Sequence, residues 1–266
     1  MKQIKLLSSR TGKIWGSGVF GVLLCSYVIL VPFTSLPIVV CIIPIALLDI
    51  LAANSFSWKI HNWTWQERIG DIFSIVAVAV LGFLRVKVGS PQSSILSVPV
   101  QCFFSILIID TCGYWIHYLA HYSKFLWKLH RVHHSRQSPN IWNASYEHLG
   151  DTLFRLIIPG LLLVFLGFDK SVIEMVSCLT ALFGAFSHIN IKVKIPYPLV
   201  SLMINPITHR LHHHKNEIAI NNGSITHLWD HFMKTYSLYE MKPDEYGLKP
   251  DQQISDSPTH ILITHN

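Results

Sequence analysis

Long runs without a charged residue recur along this chain. The run from Trp15 to Leu48 carries no charge, and a transmembrane helix needs about 20 apolar residues. Pro32 and Pro37 lie near its middle, and proline interrupts a helix. The pattern therefore predicts two helices, residues 16–33 and 37–53, joined by a tight turn. One long helix broken at this point is the alternative.

Further apolar runs follow at Ile72–Leu84, Val88–Ile109, Leu156–Phe168 and Met175–Ile191. The first and third of these are short for a full span. Flanking residues extend them, or they lie partly in the membrane interface. We therefore predict an all-α fold, an integral membrane bundle of four to six hydrophobic helices.

The composition agrees with a membrane protein. Of the 266 residues, 50% are hydrophobic and 14% are charged, whereas an average soluble domain has about 25% charged residues. The mean hydropathy is +0.38. The net charge of +6 is attributed to basic loops on the inner side of a membrane. No basic stripe with interleaved aromatic residues is visible, so we expect no nucleic-acid partner.

Basic residues also predict the orientation in the membrane. Four of them precede the first apolar run, namely Lys2, Lys5, Arg10 and Lys13, and this favours a cytoplasmic N-terminus. The run behind them is longer than the 7–15 residues typical of a signal peptide, so we expect a retained signal anchor or first span. Lysines and arginines surround the histidine-rich segments 126–137 and 208–217 as well. If the apolar runs pair into hairpins, both segments face the cytoplasm and can meet.

The histidines form a pattern of their own. The chain has 16 of them, and eight lie in three groups whose members share one helical face. The first histidine box, H-x-x-x-H, contains His117 and His121. The second, H-x-x-H-H, contains His130, His133 and His134, and the third, also H-x-x-H-H, contains His209, His212 and His213. His188 stands near the end of an apolar run. Ionisable groups beside a membrane are costly, and neutral imidazole binds transition metals. Since the groups together exceed the ligands of one ion, they predict two metal ions in a cytoplasmic histidine-rich helical cap.

Two other functions use similar residues. A zinc metallohydrolase is disfavoured because the chain has no H-E-x-x-H motif. A membrane metal transporter or metal-storage protein is a second alternative. Transport sites usually lie near the middle of the bilayer, whereas both H-x-x-H-H motifs lie in charged segments outside the apolar runs.

Four segments together resemble the fatty acid hydroxylase superfamily of sterol desaturases, C-4 methylsterol oxidases and lipid hydroxylases. They are "DTCGYWIHYLAH" (110–121), "LWKLHRVHHS" (126–135), "NPITHRLHHH" (205–214) and "NNGSITHLWDHFMKTY" (221–236). The resemblance covers about residues 100–250, and the box histidines occur at the family's spacing and in its order.

The resemblance assigns ten metal ligands. These are His117, His121, His130, His133, His134, His148, His188, His209, His212 and His213. His148 is included because "SYEHLGD" is similar to the "YAHP" stretch of methylsterol oxidases. Asp110 matches the Asp upstream of the first box and is expected to hold an imidazole N–H; a polar residue marking a helix end is the alternative. Trp229 and Asp230 match the family's WD pair, for which structural bracing is favoured over catalysis.

The chain departs from its relatives at several positions. Tyr118 stands where most relatives have Arg, and Ala219 and Asn222 replace the Asp and Tyr of D-x-N-Y-G. Residues 233–235 read M-K-T in place of F-G-T. These changes leave the substrate and the detail around the ligands open. His214, His227 and His231 fall outside the family's ligand positions and are interpreted as surface or supporting residues.

The resemblance implies a non-haem di-iron oxygenase that hydroxylates or desaturates a C–H bond of a lipid, of sterol or fatty acyl type. It implies two Fe ions, with Zn possible in purified protein, and O2 as co-substrate. Electrons would come from a separate donor of the cytochrome b5, ferredoxin or reductase type. A catalytically degenerate relative is the remaining alternative. We expect N-terminal transmembrane helices in 1–95, a catalytic domain in 96–239 and a polar tail in 240–266. The membrane would be a bacterial inner membrane or the endoplasmic reticulum.

Overall fold

The computed structural model describes residues 64–87, 94–192, 194–216, 219–239, 246–254 and 258–262. The predicted helices 16–33 and 37–53 lie outside the described residues. Within the described ranges the chain is helical and has no β-strand beyond two isolated bridges, in agreement with the predicted all-α class.

Nine α-helices lie in the described ranges. They are α1 Trp65–Lys87, α2 Val98–Tyr122, α3 Lys124–His134, α4 Leu149–Thr152, α5 Ile158–Phe165, α6 Lys170–His188, α7 Tyr197–Leu202, α8 Pro206–His212 and α9 Leu228–Met233. A π-helical turn, Leu153–Ile157, joins α4 to α5. Short 3₁₀ helices occupy Ile141–Asn143, Pro250–Gln252 and Pro258–Ile261.

A single serine separates α2 from α3. Ser123 ends α2, and its side-chain oxygen accepts the backbone N–H of Leu126 in the first turn of α3. Serine is favoured at this position because it satisfies an N–H group that the helix leaves unpaired. The short joint brings the first two histidine boxes onto adjacent helices.

The hydrophobic core lies between α2, α5 and α6. Ile109 of α2, Leu163 of α5 and Val176 of α6 are buried in it, together with Phe168 and Ile225 from the connecting segments. Burying a side chain of this size stabilises a fold by about 1.5–3 kcal/mol. The core therefore fixes the two long helices whose ends carry His117, His121 and His188.

Two of the described helices, α2 and α6, are long and apolar enough to cross a membrane. The predicted run Val88–Ile109 corresponds to α2, but the helix begins at Val98 and continues as far as Tyr122. It therefore includes the first histidine box, which the sequence pattern places after the apolar run. Large apolar side chains such as Phe103 on α2 and Ile72 on α1 are exposed, as on a surface that faces lipid.

Helix α1 is attached to the segment after the second box. The Arg136 guanidinium lies 2.6 Å from Asp71 Oδ1 and donates to the carbonyl of Glu67 on the same helix. It also stacks over the ring of Tyr146, 3.6 Å from its centroid. The segment so attached also reaches α3, because the backbone carbonyl of Tyr146 lies 3.2 Å from His133 Nδ1.

Candidate metal centre

The fold brings nine of the ten predicted ligands together in two clusters. Cluster A consists of His117, His121, His130, His134 and His212, and cluster B of His133, His188, His209 and His213. Within each cluster the candidate ligand atoms all lie within 4.8 Å of one another. Each H-x-x-H-H box divides between the clusters, so the repeated motif supplies both.

Four helices deliver these side chains. Two histidines come from the last two turns of α2, three from the last turns of α3, one from the end of α6, and three from α8 and the residue after it. Asn205 fixes the start of α8 because its side chain accepts the N–H groups of Ile207 and Thr208. Eight of the nine histidines are at most 4% exposed, and His121 is half-buried.

The outer nitrogen of most cluster histidines has an oxygen acceptor. The Nδ1 atoms of His117, His133, His188 and His212 lie 2.8–3.2 Å from the backbone carbonyls of Asn222, Tyr146, Gly184 and Ile220 respectively. The Nδ1 of His130 lies 2.8 Å from the Asp151 carboxylate. A carbonyl can only accept a hydrogen bond, so these rings carry their hydrogen on Nδ1. Their Nε2 lone pairs then point into the clusters.

Contacts inside the clusters show why a cation fits there. His133 Nε2 lies 3.2 Å from His188 Nε2, although both rings donate from Nδ1. Two unprotonated nitrogens cannot form a hydrogen bond with each other. Similar Nε2–Nε2 distances of 3.1–3.3 Å join His130 to His134 and His121 to His212. Several neutral imidazole lone pairs that converge on one point are a ligand set for iron, zinc or copper.

Burial keeps these imidazoles neutral. Loss of solvent lowers the pKa of His130, His133, His134, His209 and His213 well below the ordinary value, and neighbouring histidines lower it further. Burial also lowers the pKa of His212 to about 4, although its bond to the Ile220 carbonyl opposes the change. The histidines are therefore unprotonated at neutral pH, which metal binding requires.

The sequence profile of the fatty acid hydroxylase family matches residues 102–235, half of the chain and all nine cluster histidines. This chain belongs to the fatty acid hydroxylase family. The resemblance drawn from the histidine boxes is therefore confirmed.

Several members of the family are similar to this chain over much of its length. Ornithine lipid hydroxylase OlsE of Rhizobium tropici is 27% identical over 201 residues, which are 66% of this chain and 60% of that protein. Sphinganine C4-monooxygenase 2 of Arabidopsis thaliana is 29% identical over 194 residues, 68% of this chain and 71% of that protein. Methylsterol monooxygenase 1 of Danio rerio is 29% identical over 143 residues, 52% of this chain and 47% of that protein. No solved structure matches the chain.

The altered family motif at 219–223 still supports the cluster histidines. Its backbone carbonyls at Ile220 and Asn222 accept the Nδ1 hydrogens of His212 and His117. Ala219 and Asn221 have positive φ angles of 54° and 52°, which shape the loop. Because main-chain oxygens hold the imidazoles, side-chain changes at positions 219 and 222 leave this contact intact.

Both predicted supporting aspartates bind backbone instead of metal ligands. The Asp230 carboxylate accepts the N–H groups of Asn222 and Gly223 and the Thr235 hydroxyl, and it lies 2.7 Å from Nδ1 of His227. It therefore braces the 219–223 loop from outside the clusters. These hydrogen bonds lower the pKa of Asp230 although burial opposes them.

Asp110 has a comparable role on the other side of the loop. It accepts the backbone N–H groups of Ile225 and Thr226 at 2.9 and 3.0 Å. Asp110 also accepts the Thr226 hydroxyl, and within the described residues it has no hydrogen bond to an imidazole, so the expected contact with a ligand histidine is not found there.

Among the three histidines outside the family's ligand positions, His227 is fully buried between Asp230 and the Thr208 hydroxyl, in a supporting position. His214 is buried as well. His231 is exposed and bonds to Ser201.

His148 does not join either cluster. It precedes α4, and its Nδ1 accepts the backbone N–H of Gly150 at 2.9 Å. That nitrogen therefore carries a lone pair used for helix capping, in contrast to the Nδ1 donors of the clusters. The structure separates His148 from the other nine predicted ligands.

Sequence reasoning missed Asp151. Its carboxylate faces His130, which lies 21 positions earlier in the chain, and its side chain is 4% exposed. Burial raises the pKa of Asp151 to about 7, while Arg155 opposes the rise. A cation in cluster A would lower that pKa again, since an opposite charge favours the ionised form. The available signal was an acidic residue three positions after His148 in "SYEHLGD", but no spacing rule pairs it with the second box.

Proposed function

We propose that this chain is a membrane-bound non-haem di-iron oxygenase that hydroxylates or desaturates a C–H bond of a lipid. The observation that carries the proposal is the pair of buried histidine clusters. In these clusters imidazole Nε2 atoms converge, while Nδ1 atoms such as those of His133 and His188 donate to backbone carbonyls. Clusters of five and four histidines suit one ion each. Iron fits this ligand set, and zinc can occupy it in purified protein.

Substrate class follows from the relatives. Their names specify ornithine lipid, sphinganine and methylsterol, which are all lipids. The exposed apolar side chains of α1 and α2 offer a surface along which a lipid can approach from the bilayer. Because the chain spans 60% of the first of these relatives, we assign a lipid substrate class and no individual lipid.

Bound iron would supply O2 activation, with two electrons from a separate donor of the cytochrome b5, ferredoxin or reductase type. In hydroxylation one oxygen atom enters the C–H bond and the other leaves as water with two protons. In desaturation both oxygen atoms leave as water. The chain itself holds each imidazole in one tautomer and keeps bulk water away from the clusters. Such preorganisation is the usual contribution of a protein to cofactor chemistry.

The same proposal includes the membrane arrangement. Helices α2 and α6 are the described candidates for spans. The two helices predicted before residue 64 would raise the number to four, and the short runs Ile72–Leu84 and Leu156–Phe168 would raise it to six. The clusters would form a cap on the cytoplasmic side, because basic residues surround both H-x-x-H-H segments. In this arrangement residues 96–239 are the catalytic unit.

Metal content and lipid products together test the function. Protein purified in mild detergent should contain about two irons per chain, directly or after iron reconstitution. Cells expressing it under ¹⁸O₂ should accumulate either a lipid with one ¹⁸O atom or a lipid with one additional double bond. His133→Ala should lose both the product and part of the iron, whereas His231→Ala should keep both, since His231 is exposed and outside the clusters.

Two results would contradict the proposal. Ions that exchange freely, with no lipid product, would favour the transporter or storage alternative. Two tightly bound irons without any lipid product would indicate a degenerate member of the family.

A further inference from the structure

His130 is the cluster histidine whose Nδ1 faces a carboxylate. Its Nδ1 lies 2.8 Å from Asp151 Oδ2, and both side chains are buried. The other four Nδ1 atoms with a recorded oxygen acceptor face neutral backbone carbonyls. In cluster B the Nδ1 atoms of His209 and His213 are buried and have no hydrogen-bond partner among the described residues. Among the described residues, the carboxylate that accepts an imidazole N–H is therefore found at cluster A.

Asp151 belongs to a small charged group behind His130. Arg155 Nη1 lies 3.6 Å from Asp151 and 3.9 Å from Glu147, and Glu147 accepts the Thr152 hydroxyl. Arg155 stands inside the π-helical turn Leu153–Ile157, a local distortion that is frequent at functional sites. One guanidinium faces two carboxylates, the buried Asp151 and the partly buried Glu147, so its charge does not neutralise both.

We propose that Asp151 is a positioning residue which acts through His130 to make the two metal positions unequal, so that the ion in cluster A is held more tightly. The inference rests on the proposed metal centre but not on the lipid reaction. A carboxylate that accepts the outer N–H of a ligating imidazole fixes its orientation and makes it a stronger ligand. Removal of such a partner typically lowers metal affinity about 10–100-fold. In the described residues the Nδ1 atoms of cluster B face backbone carbonyls and the Ser187 hydroxyl or are unpaired, so cluster B lacks an anionic partner.

The direct experiment measures metal release and does not use activity. The full chain in detergent is loaded with Co²⁺ or Zn²⁺ and then exposed to an excess of chelator. The wild type should release its two ions in two phases, with the slow phase from cluster A. In Asp151→Asn the slow phase should become about 10–100-fold faster while the fast phase is unchanged. Asparagine keeps the size of the side chain and an oxygen acceptor but removes the charge.

Glu147→Gln is the matched control. It changes the other carboxylate beside Arg155, which has no contact with a cluster histidine among the described residues, and it should leave both phases unchanged. The inference is overturned if the wild type releases two equivalent ions, or if Asp151→Asn has wild-type phases. It is also overturned if Glu147→Gln accelerates the slow phase as strongly as Asp151→Asn.

A second measurement does not depend on the folding of Asp151→Asn. His188→Ala leaves cluster A complete, and His121→Ala leaves cluster B complete. In chelator competition, the Zn²⁺ bound by His188→Ala should be held at least about tenfold more tightly than that bound by His121→Ala. Equal or reversed affinities would overturn the inference.

Two unequal ions without a lipid product would refute the proposed function alone, and a wild type that binds no metal would refute the metal centre itself.

Discussion

His133 and His188 face each other through their Nε2 atoms at 3.2 Å, and the Nδ1 atom of each lies within 3.2 Å of a backbone carbonyl. They come from different helices, α3 and α6, which are 55 positions apart in the chain. Neither ring has a hydrogen for the other, so the contact would be repulsive without a cation between them. The two facing lone pairs are therefore suited to a shared cation.

Substitution of either residue should remove one ion. His133→Ala or His188→Ala takes away a cluster B ligand and leaves the five cluster A histidines in place. The iron content should fall from about two to about one per chain, and product formation should fall at least 100-fold, because both ions are needed for O2 activation in the proposed function. Elemental analysis and lipid mass spectrometry check this result. Retention of both irons with full activity would remove cluster B from the site.

His148→Ala distinguishes a ligand from a helix cap. Since His148 Nδ1 accepts the Gly150 N–H, the substitution should retain both ions. It should lower the free energy of unfolding by about 0.5–2 kcal/mol through the lost cap. His148→Asn should restore part of that stability, because asparagine is a good N-cap. Metal analysis and thermal unfolding of the two variants check the prediction, and loss of an ion in both would return His148 to the ligand set.

The sequence was sufficient for the helical class, the family and the convergence of the histidine boxes. Each box has an i, i+3, i+4 or i, i+4 spacing, and these spacings place imidazoles on one helical face. The division of one box between two clusters was not predictable, because it depends on how α3 and α8 are rotated about their axes.

The hydrogen-bond partners that hold the cluster histidines could not be predicted for a related reason. His117 and His212 are held by backbone carbonyls of the 219–223 loop, and any residue type supplies a carbonyl. Asp110 and Asp230 were predicted as supports from resemblance, but their partners are main-chain N–H groups of neighbouring loops. Asp151 reaches His130 only through tertiary packing.

Acidification should destabilise the metal-free protein. Burial lowers the pKa of His212 to about 4 in the folded state, whereas an unfolded histidine has a pKa of about 6.5. The unfolded state therefore binds more protons between these values, and stability falls as the pH decreases from about 6.5 to 4. Above pH 7 this contribution should be constant. Thermal unfolding of metal-stripped protein checks the sign, and His212→Asn should reduce the slope; equal slopes would exclude His212 as a contributor.

A close approach between α2 and Ser224, the residue after the 219–223 loop, gives the last prediction. Gly113 lies one turn before His117, and a Cβ atom there would be 2.1 Å from the Ser224 hydroxyl and 2.8 Å from its Cβ. Gly113→Ala should therefore push the loop away from α2 and, with it, the Asn222 carbonyl that holds His117. We expect a loss of stability of about 1–3 kcal/mol together with a lower metal content.

The double variant Gly113→Ala/Ser224→Gly identifies the cause. Both atoms near the added Cβ belong to the Ser224 side chain, so its removal should restore metal content and most of the stability. Ser224→Gly alone measures the cost of the glycine and completes a double-mutant cycle. A coupling energy near zero between the two positions, measured by thermal unfolding, would mean that contact with Ser224 is not the cause of the lost stability.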